Sequence, residues 1–358
     1  MTNLSETVAP EPEVGSLTLT DGSIALLNLQ AQIDGLEGHS TFEEATTLID
    51  LLILRGQILG RISDYERAAQ LANRQVGAAT MDAAAYIARA RTYAVFHRFA
   101  EALDDLDRVD RMAPHNAAAK RERAAIRQAQ GRFDEALSTH TAVSDSVGQF
   151  ERAAGLAGLW AERGEVESAQ RFYLDGLRCY RGICPFPLAL LEFQLGVMWM
   201  REARLGEART CFEAAIRRVP GYAPAQGHLA EVEADLGNAQ SALARLYPLA
   251  VSSDDPDYAA QLARILGEMG CNDESGIWRR WAADRYDELA ATHREAFADH
   301  AAEFWLGVGN NPQKAVRLAT LNLEVRKTPR ARELLAQALE ANTAGAASAR
   351  RSAAALPN

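Results

Sequence analysis

Lysine is almost missing from this chain: Lys120, Lys314 and Lys327 are the only three, and every other basic residue is arginine. Cysteine is scarce too. Cys179, Cys184, Cys211 and Cys271 are too few and too irregularly spaced for a disulfide framework, which fits a reducing compartment. The most apolar run, 185–200, is broken by Glu192 and Gln194 and falls short of the roughly 20 residues a bilayer requires. The first residues carry no basic region followed by an apolar one, so they do not read as a signal peptide. These absences predict a cytoplasmic protein that makes no use of a membrane. Basic charge is in deficit as well, 38 residues against 48 acidic ones for a net charge of -10, which opposes general binding to phosphate backbones.

Apolar residues are plentiful. At 48% of 358 residues they supply a core that needs no metal or disulfide staple. Their arrangement is periodic. Ala68, Ala102, Ala136, Ala169, Ala208, Ala242, Ser275 and Ala315 are separated by 34, 34, 33, 39, 34, 33 and 40 residues. A second comb of small residues, Gly56, Ala90, Ala124, Ala157, Gly196, Ala230, Ala263 and Ala302, repeats at 34, 34, 33, 39, 34, 33 and 39. Two combs of one period, offset by about twelve residues, describe a helix-turn-helix unit in which each helix places a small side chain where the axes cross. The surrounding apolar spacing is helical, as in Leu52, Gly56 and Leu59 or Phe212, Ala215 and Ile216, and no strand-like alternation competes with it.

The copy at 192–220, with Leu195, Gly196, Trp199, Ala208, Phe212, Ala215 and Pro220, resembles the tetratricopeptide repeat, and the copy at 86–114 does so nearly as well. The resemblance covers roughly 45–342. It implies an all-α, right-handed α-solenoid of about eight helix-turn-helix repeats with capping helices. Two copies depart from the pattern: Arg123 and Arg127 stand where large apolar residues are usual, and Ser275 replaces an alanine. The Cys184-Pro185-Phe186-Pro187 loop, Phe193-Gln194-Leu195-Gly196 and the stretch from Phe297 to Trp305 are together similar to a group of bacterial tetratricopeptide proteins, a likeness that supplies no defined activity.

Local signals divide the chain into a disordered N-terminal tail at 1–20, a solenoid at 21–342 and a disordered C-terminal tail at 343–358. A covering helix is expected near 21–32 and a closing helix near 329–341, because a solenoid must hide its terminal apolar faces. Ser40-Thr41-Phe42-Glu43 and Ser63-Asp64-Tyr65-Glu66 read as capping boxes, and Asn311-Pro312 and Thr328-Pro329 as helix starts. Both long intervals break the period. The first adds a rigid, projecting loop at 180–187, where Pro185 and Pro187 forbid a continuous helix. The second is expected to lengthen a helix over 278–298.

No catalytic constellation stands out. The chain has no phosphate loop, no dinucleotide fingerprint, no nucleophile elbow and no His-Glu-x-x-His. Cys179 and Cys184 lack a second Cys or His pair nearby, and His293 and His300, seven residues apart, are too distant along a helix to share a metal. Neither a metal nor another cofactor is therefore expected. Trp160, Trp199, Trp278, Trp281 and Trp305 fall at core spacing. Arg121 belongs to a local basic cluster with Lys120, Arg123, Arg127 and Arg132, but stacking aromatics are absent from it, which argues against nucleic acid.

In the tetratricopeptide architecture the first helix of each unit lines a concave groove. The resemblance sends Gln57, Arg91, Arg121, Gln128, Phe193, Arg201, Glu231, Arg264, Phe297, His300 and Phe304 toward it. Apolar anchors among arginine forks suit a peptide with acidic and hydrophobic side chains. A carboxylate clamp like that of chaperone-binding members is not built, since the matching positions, Ile53, Gln57, Ile87, Arg91, Arg121 and Ala125, offer neither Asn nor Lys. The expected function is a non-catalytic interaction scaffold, not an enzyme, that binds a peptide or protein segment in its groove; the ends of such an array are also where copies can form a homo-oligomer. The alternative is a substrate-presenting subunit of an enzyme complex, or a divergent metal-dependent enzyme, using the Cys184-Pro185-Phe186-Pro187 loop.

Overall fold

The computed structural model describes residues 19–37, 41–78, 81–142 and 148–354, and among these it contains eighteen helices and no strand. Eight hairpins form the body: α2–α3 (Phe42–Leu59, Ile62–Ala78), α4–α5 (Ala83–Val95, Phe99–Met112), α6–α7 (Ala117–Ala129, Phe133–Ala142) and α8–α9 (Gln149–Arg163, Val166–Cys179) come first. They are followed by α10–α11 (Phe186–Arg201, Leu205–Arg218), α12–α13 (Ala223–Asp235, Ala239–Ser252), α14–α15 (Asp257–Glu268, Asn272–Thr292) and α16–α17 (Ala298–Leu306, Pro312–Val325). A helix α1 (Gly22–Glu37) precedes them and α18 (Pro329–Ala354) follows. Even-numbered helices from α2 to α16 are the first, or A, helices; their odd-numbered partners are the B helices.

The two combs sit where the periodicity places them. Ala90, Ala157, Ala230, Ala263 and Ala302 of the A helices and Ala68, Ala102, Ala136, Ala169, Ala208, Ala242 and Ala315 of the B helices are all 0% exposed. Gly196 shows why they must be small: a Cβ there would lie 2.6 Å from the Phe212 ring of the paired helix. The aberrant Ser275 is accommodated because its hydroxyl donates to the Ala263 carbonyl across the crossing at 2.6 Å, so no polar group is stranded. Arg123 bridges back to Asp107 and Asp110 of α5 at 2.8 Å each, replacing apolar contact by charge. Within hairpins, pairs such as Arg55–Asp64, Arg89–Asp105 and Arg245–Glu233 hold A and B helices together beneath the surface.

Several local expectations shift. The capping box of α2 is Thr41 with Glu44, one residue later than read, while Asn311 caps α17 through the Lys314 amide as read. Ser63 does not cap α3, which already begins at Ile62. The long helix α15 ends at Thr292, and a turn at 293–297 separates it from α16. Trp281 is 38% exposed and so is not core. The segment read as a tail from 343 is helical through Ala354, as the continuation of α18. The N-terminal tail lies outside the described residues up to 18, and Thr20 is held by its N–H donating to the Ile183 carbonyl at 2.8 Å; the loop expected at 180–187 spans 180–185, because Phe186 and Pro187 already form the first turn of α10. That loop is braced internally by the Tyr180 hydroxyl donating to the Cys184 carbonyl.

The larger surprise is how tightly the solenoid coils, because its second turn touches its first. The A–B turn of unit one meets the linker between units six and seven: the amides of Ile62 and Ser63 donate to the two carboxylate oxygens of Asp254 at 2.6 and 2.8 Å, and the Ser253 hydroxyl donates to the Gly60 carbonyl. Asp254 is thus the N-cap of α3, supplied from 192 positions away along the chain. In unit two, the His97 Nδ1–H donates to the Glu295 carbonyl at 3.1 Å, while Phe96 stacks on His293 at 4.0 Å between centroids and the His293 Nε2–H donates to Glu66. In unit three, the Lys327 amide donates to the Gln130 carbonyl. Gly60 and Gly131 have positive φ, and a side chain at either would collide with the neighbouring turn, with Tyr258 Oη at 2.8 Å or the Lys327 carbonyl at 2.6 Å. An apolar core completes the closure, joining Leu29 and Ile33 of α1 and Leu48, Ile49 and Leu52 of α2 to Phe186, Val219, Tyr222 and Ala225 of units five and six.

Candidate functional site

At units five and six the chain's own α1 and α2 join the ends of α10, α11 and α12, and Phe193 packs beside that seam, 5.2 Å from the Tyr222 ring and 5.9 Å from Phe212, rather than standing free in the expected groove. Phe304 faces the core rather than the groove, 5% exposed against Tyr286 and Trp305, because its helix buries that side. Phe297 is half-buried at the start of α16 and Gln57 half-buried on α2; Gln128 approaches α8 near Gly158, and Arg121 is exposed.

The charged residues of the set do converge. Successive A helices are laced on their inner side by arginine-carboxylate pairs. Arg91 of α4 joins Asp50 of α2 at 2.8 Å and Glu122 of α6 at 2.7 Å; Arg201 of α10 meets Glu162 of α8 at 3.0 Å; Arg264 of α14 reaches Asp235 of α12 and Glu268 of its own helix. Arg330, at the start of α18, pairs with Glu303 of α16 at 2.8 Å. Arg330 also feels Asp299 and Glu162, and Glu231 feels Arg264 and Arg330, so charges from α8, α12, α14, α16 and α18 face one another across the interior. His300 and Arg330 both keep exposed side chains within reach of these charges.

These surroundings set the protonation states. Burial works against charge on Arg91 and Arg330, but the neighbouring carboxylates outweigh it and raise both pKa values. Burial likewise opposes the Glu231 carboxylate, and His228, Arg264 and Arg330 overcome it. Asp299 raises the pKa of His300. Asp299 itself, paired with Arg326 at 2.9 Å, is held at about 2 by His300, Arg326 and His97 against the penalty of burial.

Asp255, beside the closure contact, goes the other way: burial first and the Asp257 charge second push it up to about 6. A carboxylate whose folded pKa exceeds its unfolded value near 3.9 costs nothing below about pH 4 and destabilises progressively as pH rises toward 6. Asp255→Asn keeps an acceptor for the Asp257 amide. It should therefore raise Tm at pH 7 and leave it unchanged at pH 4; an equal gain at both pH values would show that the carboxylate charge is not responsible.

Arg91, Arg201, Arg264 and His300 are among the positions projected from the repeat register, whereas Arg121, also projected, is exposed and joins none of these pairs. Glu162, Glu303 and Arg330 were not legible, since the first two lie outside the positions projected and Arg330 belongs to a helix read only as a cap. Among the described residues no group of three or more His, Cys, Asp or Glu is placed to hold a metal, and no helix is long and apolar enough to cross a membrane.

Comparison with protein-family models and with curated proteins finds no match. Solved structures do resemble the chain. Cut9 in the APC/C hetero-tetramer Cut9-Hcn1 is 15% identical with a TM-score of 0.52 over 87% of this chain, which spans only 59% of that one. The human IFIT1 dimer with PPP-AAAA is 16% identical with a TM-score of 0.51, covering 90% of this chain and 78% of its own. A tetratricopeptide repeat protein from Parabacteroides merdae is more distant, at 13% identity, a TM-score of 0.44, and coverage of 79% and 98%. With its paired helices, its buried small-residue combs and the likeness to the first two of these structures, the chain has the fold of a tetratricopeptide-type α-solenoid.

Proposed function

We propose that the protein is a non-catalytic scaffold that binds a segment of another protein along the inner face of the coil, and that the segment is basic rather than acidic. The observation that carries this reading is the charge balance of that face. Arg91, Arg201, Arg264 and Arg330 are each already met by carboxylate and Arg121 is exposed, and against these five stand Asp50, Glu122, Glu162, Asp235, Glu268, Glu303 and Glu231, the last beside His228. An acidic peptide would have to displace internal partners, whereas lysine or arginine side chains meet carboxylates with capacity to spare, such as Asp50, 45% exposed, and Glu268, 58%. The same balance disfavours phosphate, although the IFIT1 neighbour is seen with PPP-AAAA.

Partner capture from native lysate tests the reading, comparing wild type with Asp50→Asn, Asp235→Asn and Glu268→Gln combined. Each substitution should change stability by no more than about 0.5 kcal/mol, so the combined variant stays folded, as circular dichroism would show. Loss of a basic partner by the folded variant, and its release by moderate salt, is the expected result. Unchanged capture, or recovery of nucleic acid in place of protein, would overturn the proposal.

A further inference from the structure

The two ends of the array are incomplete in opposite ways. α18 follows the B helix α17 and packs on α16 and α17 through Ala331, Leu334 and Ala338, which is the place of a ninth A helix. Its Ala336 lies 34 residues after Ala302 and continues the A-helix comb. In all eight hairpins that comb residue is buried; here Ala336 is exposed and Leu339 is 46% exposed, because α18 runs on to Ala354 instead of turning back as a B helix. At the other end, α1 precedes the A helix α2 and so stands in the place of a B helix, with no A helix before it among the described residues. It buries Ala25, Leu29 and Ile33 but leaves Ile24 53% and Leu27 69% exposed.

Beside Leu27 runs an apolar groove of about 470 Å³, formed by Leu26, Leu27, Leu29 and Gln30 of α1, Arg55 and Leu59 of α2, and Gly221 of the turn before α12. Its walls are the faces that an A helix preceding α1 would cover. Arg55 and Gln30 are hydrogen-bonded to each other, and Arg55 also to Asp64, so the groove asks for apolar contact rather than a counter-charge.

Among the described residues, one end thus has an A helix with no B partner and the other a B helix with no A partner. We propose that α18 of one copy docks against α1 of a second copy, so that Leu339 and Ala336 meet Leu27 and Ile24 and a ninth hairpin is completed across the junction. The contact is heterologous, joining unlike surfaces, and leaves a free α1 on one copy and a free α18 on the other, so further copies can add in the same sense.

Sedimentation of the full-length chain should show mass rising with concentration through dimer and larger species. Leu27→Glu and Leu339→Glu each introduce a charge at an exposed position, so both should fold as wild type does by circular dichroism. Each alone should be monomeric, weakened at least about tenfold by a charge at the centre of an apolar contact. Mixed in equal amounts, they should recover a dimer and nothing larger, because each retains one intact end. Wild type that stays monomeric up to high micromolar concentration, single variants that still associate, or a mixture that stays monomeric would each overturn the proposal.

Discussion

Ala208→Glu is expected to cost about 3–5 kcal/mol, enough to unfold most of the chain near physiological temperature. Ala208 is 0% exposed in a cluster with Ala157, Trp199 and Phe212, at the point where α10 and α11 cross. A glutamate there either loses its solvation without a partner or pries the helices apart. The nearest obvious cation does not rescue it: Arg204 is committed to Glu207 and lies over the Trp199 ring at 4.2 Å. On the same helix Arg209 faces solvent and pairs with Glu213, so Arg209→Ala should change stability by no more than about 0.5 kcal/mol. Urea denaturation of both variants checks the contrast. If they unfolded at the same midpoint, the assignment of inner and outer faces along α11 would be wrong.

The second large effect concerns the closure. Asp254→Ala removes both acceptors for the first two amides of α3, and loss of an N-cap of this kind costs about 1–2 kcal/mol. The more telling readout is where the loss appears. Amide exchange should accelerate at Ile62 and Ser63 and, in concert, around Gly60, whose carbonyl accepts from the adjacent Ser253. Asp254→Asn, which keeps one acceptor oxygen, should fall between wild type and alanine. Exchange confined to the 252–256 linker, with α3 unaffected, would mean that Asp254 does not cap that helix in solution.

The hairpins were almost completely legible because each is decided locally. A small residue every 34 positions on each of two helices marks the crossings, and Ser275, the one misfit, needed only a carbonyl on the facing helix to take its hydroxyl. The coil was not legible. Its pitch follows from a small rotation per unit that no single residue declares, and its contacts join segments with no shared motif, such as Asp254 with Ile62 or His97 with Glu295. The longer interval after Ser275 was the best available signal, since the extended α15 carries His293 to the end that stacks on Phe96. The same ignorance misplaced the groove. The register projects Arg91, Arg201 and Arg264 inward, but whether an arginine there is free depends on the neighbouring A helix, and Asp50, Glu122, Glu162 and Asp235 answer that only in three dimensions.

A repeat array of this kind is normally free to fold as it leaves the ribosome, each hairpin settling on the one before. The cap on α3 changes that order of events. Ile62 and Ser63 emerge 192 and 191 residues ahead of the aspartate that accepts from them, so at 5–20 residues per second the first unit waits roughly 10–40 s for its last two hydrogen bonds. Unit three waits similarly for Lys327. Until then Gly60, Gly131 and the apolar seam of α1 and α2 are uncovered, and the nascent chain exposes during synthesis the surfaces that the finished coil hides.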